Sequence, residues 1–88
     1  MVTPLVTPLE GENVYRWSRR WMESARAVAN TKAERLAALQ GHFERMKNLE
    51  GEVQDYAATR STIPVGQLAA TRFFRAEAEL WLAEEKAK

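Results

Sequence analysis

The stretch ENVYRWSRRWMESARAVANTKAERLAALQGHFERMKNLEGEVQDYAATR, residues 12–60, decides the fold. It contains no proline, and residues that favour helix dominate it: alanine, glutamate, arginine, leucine and lysine. Its apolar positions recur mostly in steps of three and four, the spacing of one stripe along a helix. The stripe runs Val14, Trp17, Trp21, Ala25, Val28, Leu36, Leu39, Phe43, Met46, Leu49 or Val53, and Tyr56. We therefore predict one long helix over about residues 12–60.

Three features interrupt this pattern. The step from Val28 to Leu36 is eight residues, which we interpret as a slip of the heptad register rather than a chain break. Gly41 and Gly51 each disfavour helix by about 1 kcal/mol relative to alanine. Either glycine could cap a helix end, so a three-helix bundle broken near Gly41 is the alternative.

The sequence STIP at residues 61–64 is the clearest internal turn signal. Ser or Thr can cap a following helix, and Pro64 is tolerated in its first turn. We predict the second helix over about residues 64–87, folded back antiparallel on the first as a long, coiled-coil-like hairpin. Its main apolar stripe is predicted to be Leu68, Phe73, Ala76, Leu80 and Ala83, with Phe74, Ala78 and Trp81 beside it. The fold class is thus all-α.

Residues 1–11 differ in character from the rest of the chain. They contain the tandem repeat VTPLVTPL, with prolines at positions 4 and 8. A proline every fourth residue excludes regular helix and favours extended backbone. We predict an extended arm at residues 1–11 and a helical hairpin domain at residues 12–88. Residues 1–9 also lack the basic start and long apolar run of a secretory signal.

The predicted helix lengths indicate self-association. At 1.5 Å per residue the first helix is roughly 70 Å long and the second roughly 35 Å. The second helix therefore leaves the N-terminal half of the first uncovered, and a large exposed aromatic patch usually marks an interface. We predict a homo-oligomer, with an antiparallel dimer that forms a four-helix core favoured. The predicted interface residues are Tyr15, Trp17, Trp21, Met22, Val28, Phe43, Phe74 and Trp81.

Charge provides a second hypothesis. Arg16, Arg19, Arg20 and Arg26 surround the two tryptophans at the start of the first helix. Aromatic residues interleaved with arginine can bind single-stranded nucleic acid or another anionic partner. The formal net charge is only +1, so no strong overall field attracts nucleic acid, and we regard it as the less favoured partner.

The sequence offers no set of residues for catalysis or metal binding. The chain has no cysteine and one histidine, His42, which we interpret as a surface or packing residue. There is no glycine-rich phosphate loop and no nucleophile elbow. We predict no enzyme activity, no cofactor and no metal. No apolar run approaches the roughly 20 residues that span a bilayer, so no membrane span is predicted.

Two groups of segments resemble known families. The segments TIPVGQLAA at 62–70 and AEAEL at 76–80 resemble the hairpin turn and returning helix of outer-membrane efflux factors, the TolC-like proteins. The segments YRWSRRWME at 15–23 and FFRAEAELWLAE at 73–84 resemble uncharacterised helical proteins of planctomycete bacteria, which look like single-hairpin relatives of those factors. The resemblance implies a helical hairpin and a place in the cell envelope, and it supplies no catalytic residue. Together these patterns predict a non-enzymatic scaffold or adaptor.

Overall fold

The computed structural model describes residues 11–59 and 65–88, which form three α-helices. Helix α1 spans Gly11–Ala27, α2 spans Lys32–Thr59 and α3 spans Val65–Ala87. The described residues include no strand, which confirms the all-α prediction. The predicted arm at residues 1–11 lies outside the described residues except for Gly11, which begins α1. The predicted turn at 61–64 also lies outside them.

The predicted single helix over residues 12–60 is wrong at its centre. The structure has two helices there, separated by residues 28–31. The three-helix alternative is confirmed, but the break is not near Gly41, because Gly41 and Gly51 both lie inside α2. The eight-residue step from Val28 to Leu36 is therefore a helix boundary and not a register slip.

Local hydrogen bonds explain why α2 begins where it does. The Thr31 hydroxyl accepts a hydrogen bond from the Glu34 backbone N–H at 3.1 Å. The Glu34 carboxylate in turn accepts one from the Asn30 backbone N–H at 2.6 Å. This is close to the capping-box arrangement, in which a Thr and a Glu three residues later satisfy the free amides of a helix start. These two hydrogen bonds stabilise a helix start at Thr31, whereas a glycine inside α2 costs only about 1 kcal/mol and is tolerated.

Replacing Thr31 by alanine is expected to lower the free energy of unfolding by about 1 kcal/mol. The substitution leaves the Glu34 N–H without its side-chain acceptor at the start of α2. Urea denaturation followed by circular dichroism measures the change. Thr31→Ser keeps the acceptor oxygen and should stay within about 0.5 kcal/mol of the original protein. Equal losses in both variants would show that the hydroxyl does not cap α2.

Helix α2 forms the centre of the fold, because it packs against both other helices while α1 and α3 meet at few points. Two apolar clusters lie along it. One comprises Met46, Leu49, Val53 and Ala78, and the other comprises Met22, Leu39 and Leu82. Phe43 is half-buried and packs against both clusters, so it joins them into one core.

Helix α3 is rotated relative to the prediction. Phe73 and Leu80, assigned to its main stripe, are 60% and 55% exposed. Ala78 and Leu82 face the core instead and are almost completely buried. Because α3 is apolar over more than one face, periodicity alone could not select the inward one.

Ion pairs fix α3 against α2. The Arg35 guanidinium donates to Glu85 at 3.1 Å, and Arg75 donates to Glu50 at 3.0 Å. The hydrogen bond from Arg35 lowers the pKa of the Glu85 carboxyl below its usual value. The carboxylate of Glu85 is buried, so removing Arg35 would leave it poorly compensated.

The three helices form a thin arrangement of 45 × 28 × 14 Å. Its radius of gyration is 14.3 Å, against about 12 Å for a typical compact domain of this length. A thin layer buries less apolar surface than two packed layers do. The fold therefore leaves apolar side chains at the surface.

Candidate interaction site

The outward side of α1 and the residue just after the helix carry exposed apolar side chains. Trp17 is 58% exposed, Trp21 is 54% exposed, and Val28, just beyond the helix, is 76% exposed. The two tryptophans lie one turn apart, with ring centres 5.0 Å apart and tilted by 58°. We call Trp17, Trp21 and Val28 the exposed face of α1.

The other residues predicted at the interface lie inside or against the core of the same chain. Tyr15 stacks on Phe74 with ring centres 4.0 Å apart, and Met22 is 2% exposed. Phe43 and Trp81 are half-buried beside the Met22 cluster. The prediction that this half of the first helix lacks intramolecular partners is wrong for Tyr15 and Met22. The break at 28–31 gives the reason, because it allows α1 to turn back onto α2 and α3.

A buried polar network lies beneath the exposed face. The Arg45 Nε–H donates to the Ser18 Oγ at 2.6 Å, and Ser18 Oγ lies 2.7 Å from His42 Nδ1. Ser18 and His42 have no exposed surface. Arginine can only donate, so the simplest assignment has the Ser18 hydroxyl donating its single proton to His42 Nδ1. The imidazole is then neutral, with its own proton on Nε2.

The surroundings of His42 favour that neutral form. The ring lies between Tyr15 and Trp81, with ring centres 6.1 and 6.0 Å away. Burial lowers the pKa of His42 to about 4, and the positive charges of Arg45 and Arg19 contribute to the shift. Its Nε2 atom has no hydrogen-bond partner among the described residues.

The Ser18–His42 spacing is that of a nucleophile and its general base. Reaction with a substrate would require an accessible hydroxyl, and Ser18 is completely enclosed. Its oxygen is also occupied by the bond from Arg45. The geometry supports a packing role, in which a hydrogen bond joins α1 to α2 through the core.

The arginines of the second hypothesis are partly neutralised. Arg16 pairs with Glu12 at 2.9 Å, and Arg19 pairs with Glu23 at 3.1 Å. The Arg19 guanidinium also lies 5.3 Å from the centre of the Trp81 ring. Arg20 is exposed and Arg26 is half-buried. The local carboxylates offset two of the four positive charges, so about half of the positive charge of the cluster remains.

An open groove of about 450 Å³ runs between the end of α1 and the start of α2. Its apolar lining includes Trp21, Met22, Ala25 and Ala37. Glu34 lines the groove near the start of α2, and Arg45 lines it further along the same helix. We call this the α1–α2 groove.

The described ranges 11–59 and 65–88 contain no group of three or more His, Asp and Glu side chains that could hold a metal ion. Within the same ranges, no helix combines the length and apolarity needed to cross a membrane.

The Ser18–His42–Arg45 network and the groove were not predicted from the sequence. Ser18 and His42 are 24 positions apart and belong to different helices, so no local pattern joins them. One signal was available: a serine between two tryptophans interrupts an otherwise apolar or charged segment. Such a polar residue, if buried, needs a partner.

No protein-family model matches this chain, and neither the curated proteins nor the solved structures include a significant match. The resemblance to TolC-like efflux factors and planctomycete helical proteins therefore stays a prediction.

Proposed function

We propose that this chain is a non-enzymatic structural or interaction module that self-associates through the exposed face of α1 and acts as a scaffold or adaptor. The observation that carries the proposal is the exposure of Trp17 and Trp21, each of which has more than half of its surface open to water. Exposed tryptophans are costly to leave in water and are enriched at protein interfaces.

The shape of the fold supports a second copy as the partner. A layer only 14 Å thick cannot enclose all of its apolar side chains, and some of them lie at its surface. Pairing two such layers through α1 would cover Trp17, Trp21 and Val28 of both copies. An interface of this kind is symmetric, so the same surface serves on each side. The four-helix core would consist of α1 and α2 from each copy in antiparallel orientation.

The buried Ser18–His42 pair supports the non-enzymatic part of the proposal. Its reactive atoms have no exposed surface. The hypothesis of an anionic partner has less support, because Arg16 and Arg19 already pair with Glu12 and Glu23.

We expect the light-scattering mass to rise from that of one 10.1 kDa chain to twice that value as the concentration increases. Trp17→Ala combined with Trp21→Ala should weaken dimerisation by at least tenfold, because the two side chains supply much of the apolar area buried. Helix content by circular dichroism should be unchanged, since neither side chain belongs to the core.

Phe73→Ala combined with Leu80→Ala is the matched control. These residues form an equally exposed apolar pair on α3, outside the proposed interface. The control should dimerise as the original protein does. A monomer at every concentration would contradict self-association and would leave the exposed face of α1 for a different protein. A dimer lost only in the α3 variant would move the interface to α3.

A further inference from the structure

We propose that the α1–α2 groove binds a single-chain aliphatic carboxylate, with its head group on Arg45 and its tail along the apolar walls. The ligand would occupy the space between two helices of one chain, and this space adjoins the exposed face of α1, because Trp21 and Val28 belong to both surfaces. The ligand class follows from three properties of the groove: an arginine without a carboxylate partner, an apolar lining and an acid near the opposite end.

Arg45 is the cation that the head group would pair with. Among the described residues, no carboxylate forms an ion pair with it, although Arg16, Arg19, Arg35, Arg72 and Arg75 each have one. Arg45 is half-buried, and its desolvation lowers the pKa of the guanidinium. A partly desolvated cation without a counter-charge binds an anion more strongly than a fully hydrated one does.

The guanidinium is held in a fixed position. Its Nε–H bonds to the enclosed Ser18 Oγ, and its central carbon lies 4.7 Å from the centre of the Trp21 ring. Its Nη1 atom lies over Gly41, so close that a β-carbon there would be 3.2 Å away. With Nε occupied, the two terminal amino groups remain to bind an anion. Their planar arrangement matches the two oxygens of a carboxylate.

The remainder of the groove suits an apolar tail. Met22, Ala25, Ala37 and Ala38 line it, and its volume of about 450 Å³ falls within the range of small-molecule sites. Arg45 and Glu34 are eleven positions apart on α2, which corresponds to about 16 Å along the helix. The negative charge of Glu34 disfavours a second acid group near that end. These properties together select a ligand with one anionic head and an uncharged chain.

Isothermal titration calorimetry of the full chain with sodium decanoate tests the proposal. We expect one decanoate bound per chain. Hexanoate should bind at least tenfold more weakly, because each methylene buried in a half-open groove strengthens binding about twofold or more. Decan-1-ol has the same tail without the charge and should also bind at least tenfold more weakly. Arg45→Gln should remove this preference for decanoate over decan-1-ol.

A second variant covers the case in which loss of Arg45 disturbs the buried network. Ala37 is exposed and lines the groove, so Ala37→Trp fills the groove and leaves Arg45 in place. Ala58→Trp is the matched control, an exposed alanine of α2 outside the groove. Decanoate binding should disappear in Ala37→Trp and persist in Ala58→Trp.

Three results would overturn the proposal. The first is decanoate and decan-1-ol binding equally to the original protein. The second is decanoate binding that survives in Ala37→Trp. The third is the absence of saturable decanoate binding to the original protein, whether its mass is that of a monomer or of a dimer. In a dimer, this result would assign the groove to the second copy.

Discussion

Lowering the pH from 7 to 4.5 is expected to reduce the free energy of unfolding by about 2–3 kcal/mol through His42 alone. In the folded protein the pKa of His42 is lowered to about 4, while in the unfolded chain it is about 6.5. Between these values the unfolded chain binds a proton that the folded protein does not bind. The stabilisation is therefore complete above pH 6.5 and is lost progressively as the pH falls towards 4.

Chemical denaturation at half-unit steps of pH measures this loss. His42 is the only histidine in the chain, so no other imidazole contributes between pH 7 and 5. His42→Asn keeps an acceptor for the Ser18 hydroxyl but has no titrating group. The variant should be less stable than the original protein at pH 7, and its free energy of unfolding should change little between pH 7 and pH 5. An equal slope in the two proteins would show that His42 titrates normally and is not desolvated.

Leu49→Ala is expected to lower the free energy of unfolding by about 3 kcal/mol. Leu49 is 2% exposed and belongs to the cluster that includes Met46, Val53 and Ala78. Val14 of α1 and Leu68 of α3 pack against the same cluster. The truncation therefore leaves a cavity where all three helices meet. For a domain of this size we expect a fall in Tm of about 10–20 °C.

Leu80→Ala makes the same chemical change at a site that is 55% exposed. It should alter the free energy of unfolding by less than about 0.5 kcal/mol. Leu49→Met, which conserves volume, should cost less than about 1.5 kcal/mol. Comparable losses in Leu49→Ala and Leu80→Ala would place the core elsewhere than along α2.

The sequence predicted the helical class because helix propensity and periodicity are local properties. The signal for the position of the break was also local, since Thr31 and Glu34 have the spacing of a capping box. The prediction of a break near Gly41 was wrong because a helix tolerates a glycine such as Gly41 or Gly51 at a cost of about 1 kcal/mol each. The capping hydrogen bonds at Thr31 satisfy donors that would otherwise be unpaired, and this favours a helix start there.

Part of the candidate site could be predicted and part could not. Trp17, Trp21 and Val28 were predicted to be exposed because the second helix was expected to be too short to cover the N-terminal half of the first. The sequence does not distinguish Tyr15 and Met22, which are covered by the core, from the exposed tryptophans. Their burial depends on how α1 turns back onto α2 and α3 after the break. The pairing of Ser18 with His42 depends on the same packing of α1 against α2.

If copies of this chain pair as proposed, the second exposed apolar pair, Phe73 and Leu80 on α3, would affect how the assemblies grow. Pairing of α1 in one copy with α1 in a second copy is closed, because each copy covers the exposed face of the other and no such face is left to bind a third copy. Pairing of unlike faces, α1 of one copy on α3 of the next, leaves a free face at each end and can continue as an open filament. Under the proposed self-association, the relative strength of these two contacts would set the choice between a dimer of fixed size and a fibre. Substitutions that remove Phe73 or Leu80 should then favour the dimer without altering the core.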